Sequence, residues 1–412
     1  MPLTTVDNVI VLNDFCHVQG GASKVAIDEA VALRESGVEV TFLGAVGPVC
    51  DALRDARVKV VCLDQPELAD VVKHPAAALR GLWNRAAGAA LRELIAPLDR
   101  RRCIVHLHGY TKALTAVPAL AARQAGFRTV CTLHDFFAAC PNGAFYDYRK
   151  QAPCPLVALS PACIATPCDK RHQAHKAYRV MRGMVQRHRA HFPGCVRDYI
   201  TLSRRSAELL LPYLPADSAF YPLENIIDAP VASPVDVAAN WSLLALGRLE
   251  AEKGVMLAAE AAQQAHWPIV FAGDGPQRVE VEMLGGEVTG WISPEQVWHE
   301  LTRARCLIFP SRWYETFGLV VSEAAARGVP SIVSDISAAA ERVTDGVTGW
   351  IFRSGDRDDL VRCMANLRDD AVVRAAGEAA YRQFWSSPPD RQRHTQELLS
   401  IYGRVLARDQ AA

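Results

Sequence analysis

At 412 residues the chain exceeds what one hydrophobic core organises, and at about 150 residues per domain two or three domains are expected. Hydrophobic residues at 50% and charged residues at 22%, with 26 Gly and 24 Pro, describe a folded globular chain and exclude a disordered or fibrous one. The 45 Lys and Arg balance 45 Asp and Glu, so attraction to nucleic acid or an anionic membrane has to come from a local patch.

The opening residues, MPLTTVDNVIVLNDF, place no basic segment ahead of a short apolar run that carries Asp7, Asn13 and Asp14, so no secretory signal is expected. No apolar run reaches about 18 residues, and a spanning helix is not expected. Twelve Cys are too sparse for a disulfide scaffold, which points to a reducing cytoplasm.

Short β-branched runs alternate with amphipathic stretches from the start, the pattern of βαβ units on a parallel sheet. Residues 8–13 read as a buried strand, followed by Gly20-Gly21, a helix to about Ser36, and a strand at 38–43. Further strands are expected at 58–63, 103–107, 128–133 and 198–202, with helical patterns at 68–97 and 112–124. Pro212, Pro215, Pro222, Pro230 and Pro234 then mark an interdomain linker. Alternation restarts with strands at 242–246, 268–272, 306–309 and 331–333, and beyond Asp356 the tail reads as helices. The expected fold is α/β, two Rossmann-like doubly wound domains facing across a cleft. Residues 1–225 form the first, with a Cys-rich insertion at about 136–170; residues 226–384 form the second; and 385–412 return to the first. Open parallel sheets bind ligands at the carboxyl ends of their strands, so the cleft is the expected site.

The densest signal is ETFGLVVSE at 315–323, after an apolar strand and a short loop. A helix beginning near Phe317 would aim its N–H groups and positive dipole end at an anion, with Gly318 permitting close approach. Glu323 lies about two turns inside, where a carboxylate can accept hydrogen bonds from a ribose diol, and Glu315 lies before the helix. GRLEAEKG at 247–254 follows the first strand of the second half, and there Arg248 and Lys253 could clamp a diphosphate. AGDGP at 272–276 supplies a glycine turn with Gly273 at the end of the next strand. In the first half, HLHG at 106–109 and LHD at 133–135 each end a strand.

Together these segments resemble the retaining glycosyltransferases of the GT-B fold, family four. The resemblance implies that Arg248 and Lys253 hold the donor diphosphate, Glu323 the ribose and Glu315 the donor sugar hydroxyls. The amides of Phe317 and Gly318 would also face the donor, residues 288–291 would lie beside its base, and Gly20 and Gly21 would approach phosphate and sugar. His108 maps onto a family histidine beside the reacting carbon, and His134 would face the acceptor. Strand alternation puts His106 on the same face as His108, so His106 competes for that role. Asn225-Ile226-Ile227-Asp228 departs from the family, which has a Gly after the Asn. The implied activity is transfer of a sugar from a nucleotide-sugar donor to a glycan or lipid-linked acceptor with retention of configuration, and no cofactor is required. A nucleotide-sugar epimerase of the same architecture and a non-catalytic carbohydrate-binding subunit are the alternatives.

Cys140, Cys154, Cys163 and Cys168 cluster in the Pro-rich insertion, where four thiolates could hold a structural zinc; free thiols, two disulfides or an iron–sulfur cluster compete. Residues 170–197 contain no acid, and Lys170, Arg171, Lys176, Arg179, Arg182, Arg187 and Arg189 interleave with Tyr178, Val180, Met181, Met184 and Val185. Such a helix can rest peripherally on an anionic membrane face, or its Met side can be ordinary core. No nucleic-acid motif is present.

Overall fold

The computed structural model of the chain describes residues 6–67 and 75–408, so the start of the helical pattern expected at 68–97 lies outside the described residues. Contacts gather the chain into two compact units. The first holds the residues up to Ala144, Leu156–Ile226 and the segment from Arg391; the second holds Phe145–Pro155 and Ile227–Asp390.

The first unit is built on a seven-stranded parallel sheet, with β1 (Asn8–Phe15), β2 (Glu39–Val46), β3 (Lys59–Cys62), β4 (Cys103–Leu107) and β5 (Arg128–Thr132). A small antiparallel hairpin, β6 (Tyr146–Asp147) and β7 (Ala152–Pro153), belongs to the second unit, and β8 (Asp198–Thr201) and β9 (Ala219–Pro222) complete the first. The order β3-β2-β1-β4-β5-β8-β9 reverses its winding between β1 and β4, so the loops after these two strands open at a switch point. Every residue of β4 is buried, which is why the strand reads as a continuous run rather than an alternation. The last helix, Arg391–Ala407, sends Leu398, Ile401, Tyr402, Val405 and Leu406 into the same core as Ala26, Ile27 and Leu33 of the helix Gly21–Glu35.

Three expectations need correction here. The Pro-rich passage is not linker throughout, because β9 lies inside it; β9 is an edge strand, where a proline without an N–H is tolerated. The pattern at 112–124 becomes helical only at Val117–Gln124, since the N–H groups of Lys112, Ala113 and Leu114 donate instead to the buried Asp14 carboxylate, each at 2.8 Å. Among the described residues of 68–97 there are two helices, Pro75–Leu82 and Arg85–Ile95, and the Asn84 side chain accepts from Ala87 N–H to start the second.

The second unit carries a six-stranded parallel sheet of β10 (Ser242–Leu246), β11 (Ile269–Ala272), β12 (Glu287–Gly290), β13 (Ala304–Phe309), β14 (Ser331–Ser334) and β15 (Gly349–Phe352). Its order is β12-β11-β10-β13-β14-β15, again reversing beside the first strand of the unit. β12 and β15 were not anticipated as strands. Both are short edge strands flanked by glycine, and β12 enters with a register shift against β11. The fully buried Arg305 on β13 ties helices to this sheet, donating to the Leu367 carbonyl at 2.8 Å and pairing with Asp370 at 2.5 Å.

Candidate functional site

In the second unit the loops after β10, β11 and β13 carry the anticipated Arg248, Lys253, Gly273, Glu315, Phe317 and Gly318. The glycine turn at Gly273 has φ +153°, and a Cβ there would run into the carbonyl of Gly247, so the loops after β10 and β11 pack backbone on backbone. Gly318, at φ +89°, is the N-cap of the helix Leu319–Ala326; a side chain there would press on Ala339. The first turn of that helix therefore starts from a bare backbone. Phe317 is buried beneath the Arg342 guanidinium, 3.5 Å from its ring centre, so this side chain is core and its backbone is the part at the loop.

Glu315 is mostly buried, and one of its oxygens, Oε1, receives three donors: Lys253 Nζ at 2.6 Å, Ser311 Oγ at 2.8 Å and Trp313 Nε1 at 2.8 Å. Lys253 Nζ also stands 5.1 Å from the centre of the Trp313 ring. Burial alone would raise the Glu315 pKa, but Lys253 and the hydrogen bonds reverse this and hold it below the usual carboxylate range. The anticipated cation and the anticipated carboxylate thus meet each other. Arg248 is half exposed and pairs with Glu250 at 3.1 Å. Glu323 is half-buried, on the second turn of the helix. Ser311 and Trp313 were not singled out in the sequence; their signal was only proximity to Glu315.

In the first unit Gly20 and Gly21 are exposed at the N-terminus of the helix Gly21–Glu35, with open space where Gly20 would carry a Cβ. His106 and His108 are both buried, and His134 is half-buried. His106 Nδ1 lies 2.7 Å from the Tyr402 hydroxyl and its Nε2 lies 2.7 Å from Thr132 Oγ1. His108 Nδ1 faces His134 Nε2 at 3.0 Å, and His108 Nε2 faces His106 Nδ1 at 3.1 Å. Behind them is a residue that sequence reasoning missed, Glu29. Its Oε2 is 3.3 Å from His108 Nε2 and 3.5 Å from His106 Nδ1, and its Oε1 is 3.1 Å from His394 Nε2. Burial pushes the His134 pKa down to about 3 and that of His106 well below the usual value. Glu29 is held well below the carboxylate range: burial opposes this, and His108 and His394 prevail. A signal did exist, since Glu29 falls four residues after Val25 and four before Leu33, on the buried stripe of its helix.

The profile of the family described as Glycosyl transferases group 1 matches residues 238–383, and that of a Glycosyl transferase 4-like domain matches residues 20–160. The chain belongs to the group 1 glycosyltransferases. The alpha-maltose-1-phosphate synthase of Mycolicibacterium smegmatis is 27% identical over 407 residues, covering 90% of this chain and 96% of that protein. A glycogen synthase of Mycobacterium tuberculosis is 30% identical over 196 residues, 44% of this chain, and the chain spans about half the length of that curated relative, 47%. Among solved structures, Anabaena HepE in complex with UDP and glucose superposes with a TM-score of 0.64 at 16% identity, covering 96% of this chain and 99% of that one. Sucrose-phosphate synthase from Thermosynechococcus elongatus gives 0.66 at 16% identity, covering 97% and 99%. These likenesses show a shared fold, GT-B, with two Rossmann-like units.

In this glycosyltransferase none of the twelve cysteines is joined in a disulfide. Cys140, Cys163 and Cys168 are buried in the first unit, whereas Cys154 is grouped with the second. Lys176 Nζ sits 3.0 Å from Cys168 Sγ and 3.8 Å from Cys163 Sγ, and Asn142 bridges Cys140 and Cys168. Among the described residues, the group of three or more ligand-type side chains with converging atoms is Glu29, His106 and His108. The basic stretch is a helix, Gln173–Arg189, but it is less basic at its surface than its sequence: Lys176 and Arg182 are buried, the latter bonded to the Thr111 carbonyl, and Arg179 pairs with Asp169 at 2.9 Å. Met181 and Met184 are exposed, not core, and with Ile164, Pro167 and Ala177 they line a groove of about 450 Å³. No helix among the described residues is long and apolar enough to cross a membrane.

Proposed function

We propose that this group 1 glycosyltransferase moves a sugar from a nucleotide-sugar donor to a glycan or lipid-linked acceptor with retention of anomeric configuration. The observation that carries the reading is the Glu315 carboxylate held by Lys253, Ser311 and Trp313 immediately before a glycine-capped helix. A donor diphosphate entering there would draw Lys253 to itself, as a stronger anion than one carboxylate. Glu315, relieved of one of its three donors, then accepts hydroxyls of the donor sugar. The amides of the first turn of Leu319–Ala326 face the phosphates, and Arg248, loosely paired at the surface, closes on them. Glu323 takes the ribose. Gly20 and Gly21 leave room for phosphate and sugar, and the His108–His134 pair stands on the acceptor side. Fixed positive charge and helix amides stabilising the departing diphosphate supply the largest protein contribution, and no metal is required for it. One structural neighbour, Anabaena HepE, solved with UDP and glucose and again with UDP-glucose, supports the choice of donor class.

The four insertion cysteines are read as ligands of one structural zinc. The ammonium of Lys176 puts positive charge beside two of the thiols, where thiolates would hold a cation. The exposed Met181 and Met184, among the remaining cations of their helix, are read as a peripheral contact with an anionic membrane that carries the acceptor.

A stability screen against nucleoside diphosphates and nucleotide sugars tests the donor assignment, because a ligand of the folded state alone raises the melting temperature. NMR of the product's anomeric proton then reads the configuration. Failure of every nucleoside diphosphate to shift melting, or an inverted product, would overturn the corresponding part.

A further inference from the structure

The buried histidines of the first unit do more than fill a core. Glu29 is 1% exposed, and a carboxylate at that depth is tolerated only with partners. One oxygen has His394, carried in by the last helix, and His394 Nδ1 in turn lies 2.7 Å from the Glu224 carbonyl. The other oxygen, Oε2, makes no hydrogen bond of good geometry, although two imidazole nitrogens stand at 3.3 and 3.5 Å. His106 has Tyr402 on one nitrogen and Thr132 on the other, so both of its positions are in use. His108 is different: its Nε2 faces Glu29 and His106, and its Nδ1 leads to the half-exposed His134.

We propose that Glu29, held by His394, is a positioning residue that fixes the tautomers of His108 and His134 and so determines what His134 presents to the acceptor. This rests on the reading that the His108–His134 pair faces the acceptor. With the Glu29 carboxylate beside it, His108 keeps its proton on Nε2, leaving Nδ1 as a hydrogen-bond acceptor. His134 must then donate its own Nε2–H to His108, which makes Nδ1 the accepting nitrogen of His134. That nitrogen suits an acceptor hydroxyl, which has a proton to give. No group changes its proton count in this arrangement; the carboxylate sets only where the protons sit. Burial holds His134 and His106 neutral, and His394 is raised despite its burial because Glu29 holds it. The other titratable groups around the cluster are Tyr402 and Glu397 on the last helix and Asp135 beside His134; burial pushes Asp135 up to about 6.

The test uses the full chain with Glu29→Gln, His394→Asn, the double variant and His134→Ala. Imidazole nitrogen shifts measured by NMR should place the His134 proton on Nε2 in the native protein and as a mixture of tautomers in Glu29→Gln. Transfer should fall about tenfold or more in kcat for Glu29→Gln, with nucleoside diphosphate affinity unchanged. The acid limb of its pH profile, recorded in an Asp135→Asn background, should move to lower pH, because removing the anion weakens proton binding at His134. The double variant leaves no unpaired buried charge, so its melting temperature should recover while its kcat and profile do not. Recovery of both together would overturn the proposal and leave Glu29 a purely structural residue, as would an unchanged His134 tautomer. A stoichiometric metal ion lost in Glu29→Gln would overturn it in favour of a metal centre. If His134→Ala leaves transfer intact, the acceptor-side reading itself fails; if it impairs transfer and Glu29→Gln does not, only the positioning role fails.

Discussion

In each unit a glutamate of the candidate site, Glu315 or Glu29, is held by cationic or imidazole partners, and the two arrangements work in opposite ways. Glu315 retains 14% side-chain exposure and Lys253 retains 23%, both on loops that begin where strands end. Glu29 and His394 are at 2% each, inside two packed helices. An ion pair with access to solvent exchanges partners when a stronger anion arrives, whereas a buried one is locked, because leaving either charge alone is costly. The first suits a residue that must release its partner to bind a ligand. The second suits a residue that must never move.

The largest expected effect comes from breaking the exchangeable pair. Lys253→Ala should reduce transfer by about a hundredfold or more through lost stabilisation of the departing diphosphate, while the fold survives. Glu315→Gln should lower kcat comparably and spare affinity for free nucleoside diphosphate. Glu323→Gln should do the reverse and weaken that affinity by about tenfold, roughly one charge-assisted hydrogen bond. Titration calorimetry against turnover separates them, and equal losses of affinity in both would sink the division between sugar and ribose.

The acid dependence of stability sharpens the same contrast. The folded pKa of Glu315 lies below the ordinary glutamate value near 4.5 that it has when unfolded, so its contribution is present above that value and disappears as pH falls through the lower, folded one. Lys253→Ala removes the partner that depresses this pKa, so the variant should lose less stability than the native chain over that acid window. Denaturant midpoints measured from neutral to acid pH read this directly; parallel curves for the two proteins would contradict the pairing.

How much of this was legible in the sequence follows from where the information lies. The strands at 103–107 and 242–246 were read to the residue, because a strand buried on both faces writes its own boundaries in apolar runs. β9 was hidden by Pro222, since an edge strand obeys turn composition as readily as strand composition. The loop at 112–116 looked helical, and only the distant Asp14 carboxylate, some hundred positions away in the chain, claims its N–H groups. Of the candidate site, the loop residues Arg248, Lys253 and Glu315 and the helical Glu323 were visible because they sit in glycine-punctuated segments. Glu29 and His394 were not, because each is tolerated in the core by the other and the two lie 365 positions apart in the chain.

Two smaller effects concern the insertion cysteines and the helix that follows them. Protein purified without added metal should hold about one zinc per chain, falling in Cys154→Ser, with nucleoside diphosphate affinity unaffected in both. Metal-free protein with all four thiols titratable would defeat that proposal, and Lys176 would then be the cation that the buried thiols keep.

The smallest expected effect tests the exposed face of the helix Gln173–Arg189. Lys176 and Arg182 are turned inward, so electrostatic attraction to an anionic vesicle comes from fewer cations than the sequence suggests, and the exposed Met181 and Met184 have to contribute apolar burial. Met181→Asp with Met184→Asp removes that burial and adds repulsion, yet leaves the core untouched because both side chains are outside it. Flotation with vesicles rich in anionic lipid should fall about tenfold against the native chain, while transfer to a water-soluble acceptor stays the same. If flotation is equally weak for both proteins, the helix is a solvated face and its methionines have no membrane to meet. A loss of soluble-acceptor transfer in the variant would instead tie the groove beside them to acceptor binding, joining this surface to the histidine side of the unit.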